Sequence, residues 1–241
     1  METTLLVALS RQGALRRQMD VVANNLANMN TNGFKAERML FTDHVVGNGG
    51  PGPSSPIAFV RDIATVRDDA PGRSEPTGNP LDLAIHGEGY FVVEGANGEL
   101  LYSRNGRLQI DGEGRLVTAE GAPVLSTADT PVFLGETDTE ITVARDGAVS
   151  SQNGELGRLR IVSFDAGAAL LPKGGSLFST EAQPVDVQAP VVEQGMLERS
   201  NVEPILEMEK MIRVERAYAS VRDLINREDE RLKQMLQVYA A

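Results

Sequence analysis

Hydrophobic residues recur every three to four positions at both ends of the chain. This spacing predicts an N-terminal helix from about Thr4 to near Asn28, with one continuous apolar face. The same spacing predicts a C-terminal helix of up to about 39 residues that ends at Ala240, with Asn201 as its N-cap and Pro204 in its first turn. We call the two apolar faces the seams and predict that they form subunit interfaces. Their main residues are Leu5, Leu15, Met19, Val22, Leu26, Met211, Val214, Tyr218, Val221, Ile225, Leu232 and Met235.

Both seams need a covering helix, because an isolated amphipathic helix leaves its apolar stripe in water. Neighbouring chains could supply that helix in a coiled coil, or the two helices of one chain could pair as a hairpin. The predicted helices differ in length by about 14 residues, so a hairpin would leave part of the longer seam uncovered. This mismatch favours packing between chains.

The middle of the chain has a different pattern. Asn-Gly and Asp-Gly pairs such as Asn97-Gly98, Asn105-Gly106 and Asp111-Gly112 separate short β-rich runs, which predicts an antiparallel meander. The sequence before it is rich in glycine and proline, which is typical of a linker. The predicted segments are an N-terminal helical segment (1–46, its last part extended or a short second helix), a glycine- and proline-rich linker with an extended segment (47–75), a central β domain (76–187) and a C-terminal helical segment (188–241).

These patterns together predict a mixed α and β fold, in which long terminal coiled-coil helices flank a central all-β antiparallel domain. The net charge of −11 is concentrated in residues 41–190, which disfavours binding to nucleic acid or to anionic lipid. The chain has no cysteine, so disulfides and thiolate sites are excluded. We expect neither a membrane span nor a cleavable signal peptide, because the apolar runs are too short.

Candidate catalytic and metal-binding residues are few. His86 lies in a His-Gly-x-Gly stretch without a nucleophile motif, and the acidic pairs at Asp111/Glu113 and Asp138/Glu140 lack the spacing of an EF-hand. Residues 47–52 match a dinucleotide fingerprint only formally, since prolines follow where a helix is required. We therefore predict no catalytic residue, no metal site and no cofactor.

Four stretches closely resemble the bacterial flagellar rod and hook protein family. They are residues 22–35 (VANNLANMNTNGFK), 79–91, 102–106 (YSRNG) and 194–202 (QGMLERSNV), and they occur in the family's order. Within the family, the short length and the glycine- and proline-rich segment are more similar to a proximal than to a distal rod member. The motif residues that carry the resemblance are Asn24, Asn25, Leu26, Ala27, Asn28, Asn30, Thr31, Gly33, Phe34, Lys35, Ser200, Asn201 and Val202.

The resemblance implies a structural subunit of the flagellar basal body. Its terminal helices would line an axial channel, its partners would be copies of itself, other rod proteins and the flagellar export apparatus, and it would be exported to the periplasmic rod. Two alternatives from other classes remain: a surface binding module on a coiled-coil stalk, and an enzyme such as a peptidoglycan hydrolase. The first predicts a closed oligomer, and the second predicts an activity that depends on His86, Glu88 and Glu113.

Overall fold

The computed structural model describes residues 2–46, 57–135, 137–165 and 167–239. The predicted linker core at 47–56 lies outside these residues. The chain divides into two compact units. The first unit contains Met1–Ala27, Glu37–Asp68 and Glu203–Ala241, and the second contains Asn28–Ala36 and Asp69–Val202.

The first unit combines two helices with one hairpin. Helix α1 spans Glu2–Ala27 and helix α2 spans Pro204–Tyr239, while strands β1 (Glu37–Val46) and β2 (Ile57–Arg67) pair antiparallel. Both strands also contact α1. The sequence left 37–46, within the N-terminal helical segment, as either extended chain or a short second helix, and the second-helix alternative is wrong. Phe41, Val45 and Val46 favour a strand, and pairing with β2 satisfies the backbone of β1.

Within this unit the two helices pack side by side in the same chain. Gln12 donates a hydrogen bond to the Tyr218 hydroxyl at 3.3 Å, and Asn25 donates to Glu207 at 3.3 Å. Residue numbers rise along α1 as they fall along α2, so the helices are antiparallel. The hairpin arrangement, which the sequence disfavoured, therefore describes the helices within one chain. Contact of the seams with neighbouring chains stays a prediction.

The second unit is built from short antiparallel strands. Its strands are β3 (Ser74–Pro76), β4 (Leu83–His86), β5 (Tyr90–Glu94), β6 (Leu100–Ser103), β7 (Leu108–Ile110), β8 (Leu116–Thr118), β9 (Thr142–Val143), β10 (Ala148–Ser151), β11 (Gly154–Arg158), β12 (Ile161–Ser163), β13 (Leu171–Gly174), β14 (Leu177–Ser179), β15 (Val185–Asp186), β16 (Val191–Gln194) and β17 (Met196–Glu198). Two of its sheets contain more than two strands: a six-stranded sheet in the order β13-β14-β6-β5-β12-β15 and a three-stranded sheet in the order β11-β10-β9. Three further strand pairs, β16-β4, β17-β3 and β7-β8, complete the assigned sheets of this unit in the described residues.

Successive side chains of β5 point to opposite faces of its sheet and pack into two separate cores. Phe91 and Val93 face the larger core, whereas Tyr90 and Val92 face a smaller one on the other side of the sheet. In the smaller core the rings of Tyr102 and Phe164 meet edge to face, with centroids 4.8 Å apart. The predicted all-β antiparallel centre is confirmed. Strands β16 and β17, however, fall in the segment 188–241 that the sequence assigned to helix.

Candidate functional site

The first group of motif residues ends α1, and among them Asn25 is almost completely buried. Its amide nitrogen donates to the carbonyl oxygen of Glu37 at 2.8 Å, and its amide oxygen accepts from the N–H of Glu37 at 2.9 Å. One side chain thus supplies the donor and the acceptor that a paired strand would supply. Together with its bond to Glu207, Asn25 holds β1 and the first turns of α2 against the end of α1. Leu26 beside it is half-buried, whereas Asn24 and Ala27 are exposed.

The next motif residues form a turn in the second unit. The N–H of Thr31 donates to the carbonyl oxygen of Asn28 at 3.1 Å, and its hydroxyl donates to the Asn28 side chain at 3.1 Å. Gly33 has a φ of 69°, and a Cβ there would lie 2.5 Å from the carbonyl carbon of Arg104. Only glycine fits this approach. Asn30 is exposed and Phe34 is half-buried, so the turn is fixed mainly by Asn28, Thr31 and Gly33.

Lys35, Arg104 and Glu198 form a buried ion cluster, and each side chain is only 3% exposed. The Lys35 Nζ donates to Glu198 Oε1 at 2.6 Å, and the Arg104 Nε donates to Glu198 Oε2 at 2.6 Å. Glu198 Oε1 also accepts the N–H of Gly72 at 2.9 Å, and Lys35 donates to the carbonyl of Ala70 at 2.9 Å. Four segments that are distant in sequence therefore meet at one carboxylate.

Arg104 also determines the turn between β4 and β5. Its guanidinium donates to the carbonyl oxygens of Ile85 at 2.7 Å and Gly87 at 2.6 Å, and to that of Gly89. A planar guanidinium can serve several acceptors at once in this way. Arg104 thus connects the turn before β5 to strand β17 through Glu198.

The charges in the cluster shift the titration of Glu198. Burial by itself would raise the pKa of this carboxyl, but the charge of Arg104 and the hydrogen bond from Lys35 outweigh burial and hold the pKa below its ordinary value. The carboxylate therefore stays charged near neutral pH. Without it, Lys35 and Arg104 would be two buried cations with no counter-charge in the cluster.

The C-terminal motif residues pack onto the same region of the second unit. Asn201 accepts the N–H of Ala36 at 2.7 Å and donates to the carbonyl of Ala70 at 3.0 Å. Ser200 accepts the N–H of Val202 at 3.2 Å, and Val202 is buried. The predicted N-cap role of Asn201 is wrong, because α2 begins only at Pro204, three residues after Asn201. In α2 the first turn instead begins from the carbonyl of Glu203, which accepts the N–H of Glu207 at 3.0 Å.

The ion cluster has the chemistry of a buried ion network that stabilises the fold. The carboxylate of Glu198 and the charged groups of Lys35 and Arg104 are engaged by one another and by backbone groups. Over the described part of the chain, no three acidic or histidine side chains gather in the manner of a metal site. In the same residues, neither helix is long and apolar enough to cross a membrane.

The candidate catalytic residues from the sequence lie at a strand end or in loops. His86 ends β4 and pairs with Glu193 at 2.9 Å on the surface. Asp111 accepts hydrogen bonds from Glu113 and Arg115 within its own turn, and the hydrogen bond from the Arg115 side chain is the main cause that lowers the pKa of Asp111. Asp138 accepts the N–H of Gly135 at 2.7 Å within its own loop, and it accepts a hydrogen bond at 2.8 Å from Asn153 in the turn between β10 and β11. These carboxylates stabilise loops.

The predicted seam residues lie largely on the sides of the helices that are turned away from solvent. Val22, Val214 and Val221 are buried, and Leu232 is exposed. The other predicted interface residues are half-buried: Leu5, Leu15, Met19, Leu26, Met211, Tyr218, Ile225 and Met235.

Other apolar residues of the two helices are more exposed than the seams. On α2, Ile205 is 76% exposed and Leu236 is 69% exposed, and on α1 Leu6 is 56% exposed. These three positions fall outside the 3.5-residue repeat, so the repeat does not predict them as interface residues. The repeat identified the sides that pair within the chain, whereas the exposed residues form separate apolar surfaces.

The ion cluster was also missed as a unit. Lys35 was selected as a motif residue, and Arg104 and Glu198 lie in two other matching stretches without being assigned a role. A signal was present, since these three stretches together carry only four charged residues: Lys35, Arg104, Glu198 and Arg199. The pairing could not be deduced, because 163 residues separate Lys35 from Glu198.

Three family models match the chain. One described as "Flagella basal body rod protein" matches residues 5–35, and one described as "Flagellar hook protein FlgE/F/G D1 domain" matches residues 84–151. The third, "Flagellar basal body rod FlgEFG protein C-terminal", matches residues 193–238. The first match covers most of α1, the second covers most of β4 and all of β5 to β10, and the third covers most of α2.

Full-length relatives give the same result. The chain is 40% identical over 229 residues to the flagellar basal-body rod protein FlgF of Caulobacter vibrioides, with 94% of this chain and 93% of the relative covered. It is 34% identical over 240 residues to FlgF of Mesorhizobium japonicum, covering 97% and 98%. It is also 34% identical over 259 residues to the rod protein FlgG of Agrobacterium fabrum, covering 94% and 95%.

Proposed function

The chain belongs to the flagellar basal-body rod protein family, and we propose that it is the FlgF member, a subunit of the proximal rod. As a member of this family it is a structural subunit of the flagellar basal body and assembles with other rod proteins; the family is not one of enzymes. The proposal concerns its position in the rod, its mode of polymerisation and its route of export.

Alignment length supports the FlgF assignment. The alignment with FlgG of Agrobacterium fabrum extends over 259 positions, more than the 241 residues of this chain, so that relative contains residues that have no counterpart here. The two FlgF alignments extend over 229 and 240 positions. A distal rod protein of the FlgG type is the alternative, since the sequence identities of this chain to the FlgF and to the FlgG relatives differ by little.

The helical pair is the observation that carries the proposed mode of assembly. The terminal family matches fall on α1 and α2, and these helices carry exposed apolar residues along their length. Burying such residues between chains stabilises a polymer by roughly 25 cal/mol for each Å² of apolar surface removed from water. We therefore propose that the subunit polymerises through its terminal helices around the export channel, with predicted interface residues such as Leu26 and Met235 contributing to these contacts.

Export without cleavage completes the proposal. The absence of cysteine suits a chain that must cross the periplasm without forming disulfides. We propose that the flagellar export apparatus transports the chain intact to the periplasmic rod. Mass spectrometry of the subunit in purified basal bodies tests this directly, since an intact N-terminus is expected and a shortened one would contradict it.

Imaging of purified basal bodies tests the position in the rod. A tagged copy should complement motility in a strain that lacks the gene, and the tag should mark the proximal rod. A tag on the distal rod would favour the FlgG alternative. Incorporation nowhere in the basal body, with motility unaffected, would contradict the proposal and leave the stalked binding module, whose closed dimer or trimer light scattering would detect.

A further inference from the structure

A cleft of about 150 Å³ lies beside the ion cluster in the second unit. It is lined mainly by the turn between β4 and β5, by the loop that follows β12 and by two members of the ion cluster. All of its described lining residues belong to the second unit. Sites for drug-sized ligands usually enclose about 300–1,000 Å³, whereas a cavity of about 150 Å³ can hold an apolar body of the size of benzene. The cleft therefore suits a small ligand.

The buried end of the cleft carries two cations with hydrogen-bond donors left over. Lys35 and Arg104 line it, and their side chains are only 3% exposed. The Lys35 Nζ has three N–H groups, and Glu198 and the carbonyl of Ala70 accept from two of them. The Arg104 guanidinium has five N–H groups, and its four hydrogen bonds go to Glu198 and to backbone carbonyls. Within the described part of the chain, each cation thus keeps one donor for another acceptor.

This end also holds one positive charge more than its ion pairs neutralise. Lys35 and Arg104 share the single carboxylate of Glu198. Burial lowers the pKa of Lys35, although Glu198 opposes this shift. Asp69 also acts on Lys35 through its charge, but its side chain is exposed and forms no ion pair with Lys35. A carboxylate at this end of the cleft would therefore meet both excess positive charge and unused donors.

The wall of the cleft is apolar. Tyr90, Phe164 and Leu170 line it, and all three belong to the smaller core of the second unit. The rings of Tyr90 and Phe164 pack against each other with centroids 5.9 Å apart. Because the core holds these side chains in place, an apolar group that enters the cleft meets a surface that is already formed.

The rim of the cleft is acidic. Asp69, Glu88 and Asp165 line the cleft and are exposed. The Tyr90 hydroxyl donates to Asp69 at 3.4 Å, which places this part of the rim beside the apolar wall. Three carboxylates repel a simple anion and attract a cation. A ligand whose carboxylate reaches the buried end is therefore favoured when it also carries a positive charge.

We infer that the cleft binds a free amino acid with an apolar side chain, such as leucine. The carboxylate of the ligand accepts hydrogen bonds from Lys35 and Arg104. Its side chain packs on Tyr90 and Phe164, and its ammonium group lies toward the acidic rim. The inference goes beyond the proposed function, because a bound amino acid supplies the counter-charge that the ion cluster lacks and stabilises the folded second unit.

Three probes with one carbon skeleton test each part of the inference. Leucine, isocaproate (leucine without the amino group) and isoamylamine (leucine without the carboxylate) are added to the purified full-length chain, and binding is followed by ligand-observed NMR. Leucine is expected to bind with a Kd on the order of 1 mM, since so few atoms make contact. Isocaproate and isoamylamine should each bind roughly tenfold more weakly. Leucine should also raise the temperature of thermal unfolding as its concentration rises.

Two neighbouring alanines provide a matched pair of variants. Ala168 is half-buried and lines the cleft, whereas Ala169 is exposed and is not part of the lining. Ala168→Phe fills the cleft and should weaken leucine binding at least about tenfold, while Ala169→Phe should leave the Kd within about twofold of wild type. Circular dichroism checks that both variants fold. If Ala168→Phe does not fold, the three probes on the wild-type chain decide the question.

The rim is tested by removing one charge. Asp165→Asn should weaken leucine binding and strengthen isocaproate binding, so that the preference for leucine falls roughly threefold. A change in the fold alone would weaken both ligands together.

Saturable leucine binding that requires both the carboxylate and the amino group, and that is lost when the cleft is filled, supports the inference. The inference is wrong if leucine does not bind saturably, if isocaproate or isoamylamine binds as well as leucine, or if a folded Ala168→Phe variant binds leucine normally. None of these results bears on the rod assignment, which incorporation into basal bodies tests separately.

Discussion

The two units of this protein keep their apolar side chains in different places. Among the described side chains, the buried hydrophobic residues of the first unit are five small ones: Ala8, Ala14, Val22, Val214 and Val221. The second unit buries large residues such as Phe91 and Leu83 in two cores. The helices of the first unit meanwhile leave leucine, isoleucine and methionine residues exposed.

The difference lies in what is buried: the second unit has large apolar residues in its own cores, although Phe133 and Leu171 are exposed, whereas the buried apolar residues of the helical pair are small. In the second unit, apolar burial and a buried ion cluster are both internal to the chain. In the first unit, the helical pair buries small residues and exposes large ones, the reverse of the usual preference in a self-contained core. The contrast fits a rod subunit in which one unit holds its own fold and the other contacts neighbours.

The largest expected effect is on the second unit, through the ion cluster. Glu198→Ala should lower the free energy of unfolding by about 3–5 kcal/mol, because Lys35 and Arg104 would stay buried without a counter-charge. Urea denaturation of the purified chain measures this. Glu75→Ala on the neighbouring strand is the control, since its ion pair with Arg199 is half exposed and should contribute at most about 1 kcal/mol. If both substitutions lowered the free energy of unfolding equally, the buried cluster would not stabilise the fold more than an exposed ion pair does.

The second prediction compares a buried with an exposed leucine. Leu83→Ala should destabilise the second unit by about 2–5 kcal/mol, because it opens a cavity in the larger core. Leu6→Ala should leave the stability of the monomer within about 0.5 kcal/mol of wild type, because Leu6 is exposed. Thermal unfolding of both variants checks the pair. If Leu6→Ala lost as much stability as Leu83→Ala, the contrast between the two units would not hold.

The third prediction concerns the seam of α1. Leu26→Asp places a charge on the half-buried side of the helix and should lower the free energy of unfolding by about 1–3 kcal/mol. The same substitution should block incorporation into the rod. Ala23→Asp, at an exposed position of the same helix, is the control and should be tolerated. Swimming motility in a complemented deletion strain reads out both variants. Normal motility with Leu26→Asp would mean that the seam assignment is wrong.

The fourth prediction is a dependence on pH. The pKa of Glu198 is lower in the folded than in the unfolded chain, so its contribution to stability is full above the unfolded pKa of about 4.3 and is lost as pH falls through the folded value. Unfolding of the wild type and of Glu198→Gln is followed in urea between about pH 7 and about pH 3. The wild type should lose more stability than the variant on acidification. If the free energies of unfolding of the two proteins fell in parallel with pH, the acid sensitivity would come from other carboxylates.

The smallest effect is expected at Glu113. Its side chain is 71% exposed and contacts Arg115 at 3.2 Å, so Glu113→Ala should change stability by less than about 0.5 kcal/mol and leave motility unchanged. Motility assays on soft agar measure the second point. A clear loss of motility would revive a functional role for the carboxylates of this turn.

Much of the secondary structure could be predicted because it depends on local patterns. The two helices follow the 3.5-residue repeat, and glycine-containing pairs such as Asn97-Gly98 mark turns in the β region. Residues 37–46 were left undecided because their conformation depends on pairing with a strand about 20 residues away. Asn201 was misassigned as a helix cap, since α2 begins only at Pro204 and the Asn201 side chain instead binds Ala36 in another part of the sequence.

The sequence by itself determined the family, the terminal helices and the β centre, because motif spacing and hydrophobic periodicity are local properties of the chain. Only the tertiary structure decided that the two seams pair within one chain, and that Lys35, Arg104 and Glu198 share one buried site. The physical reason is that an amphipathic stripe or a charged side chain specifies the kind of partner it needs. Which residue becomes that partner depends on how the whole chain folds.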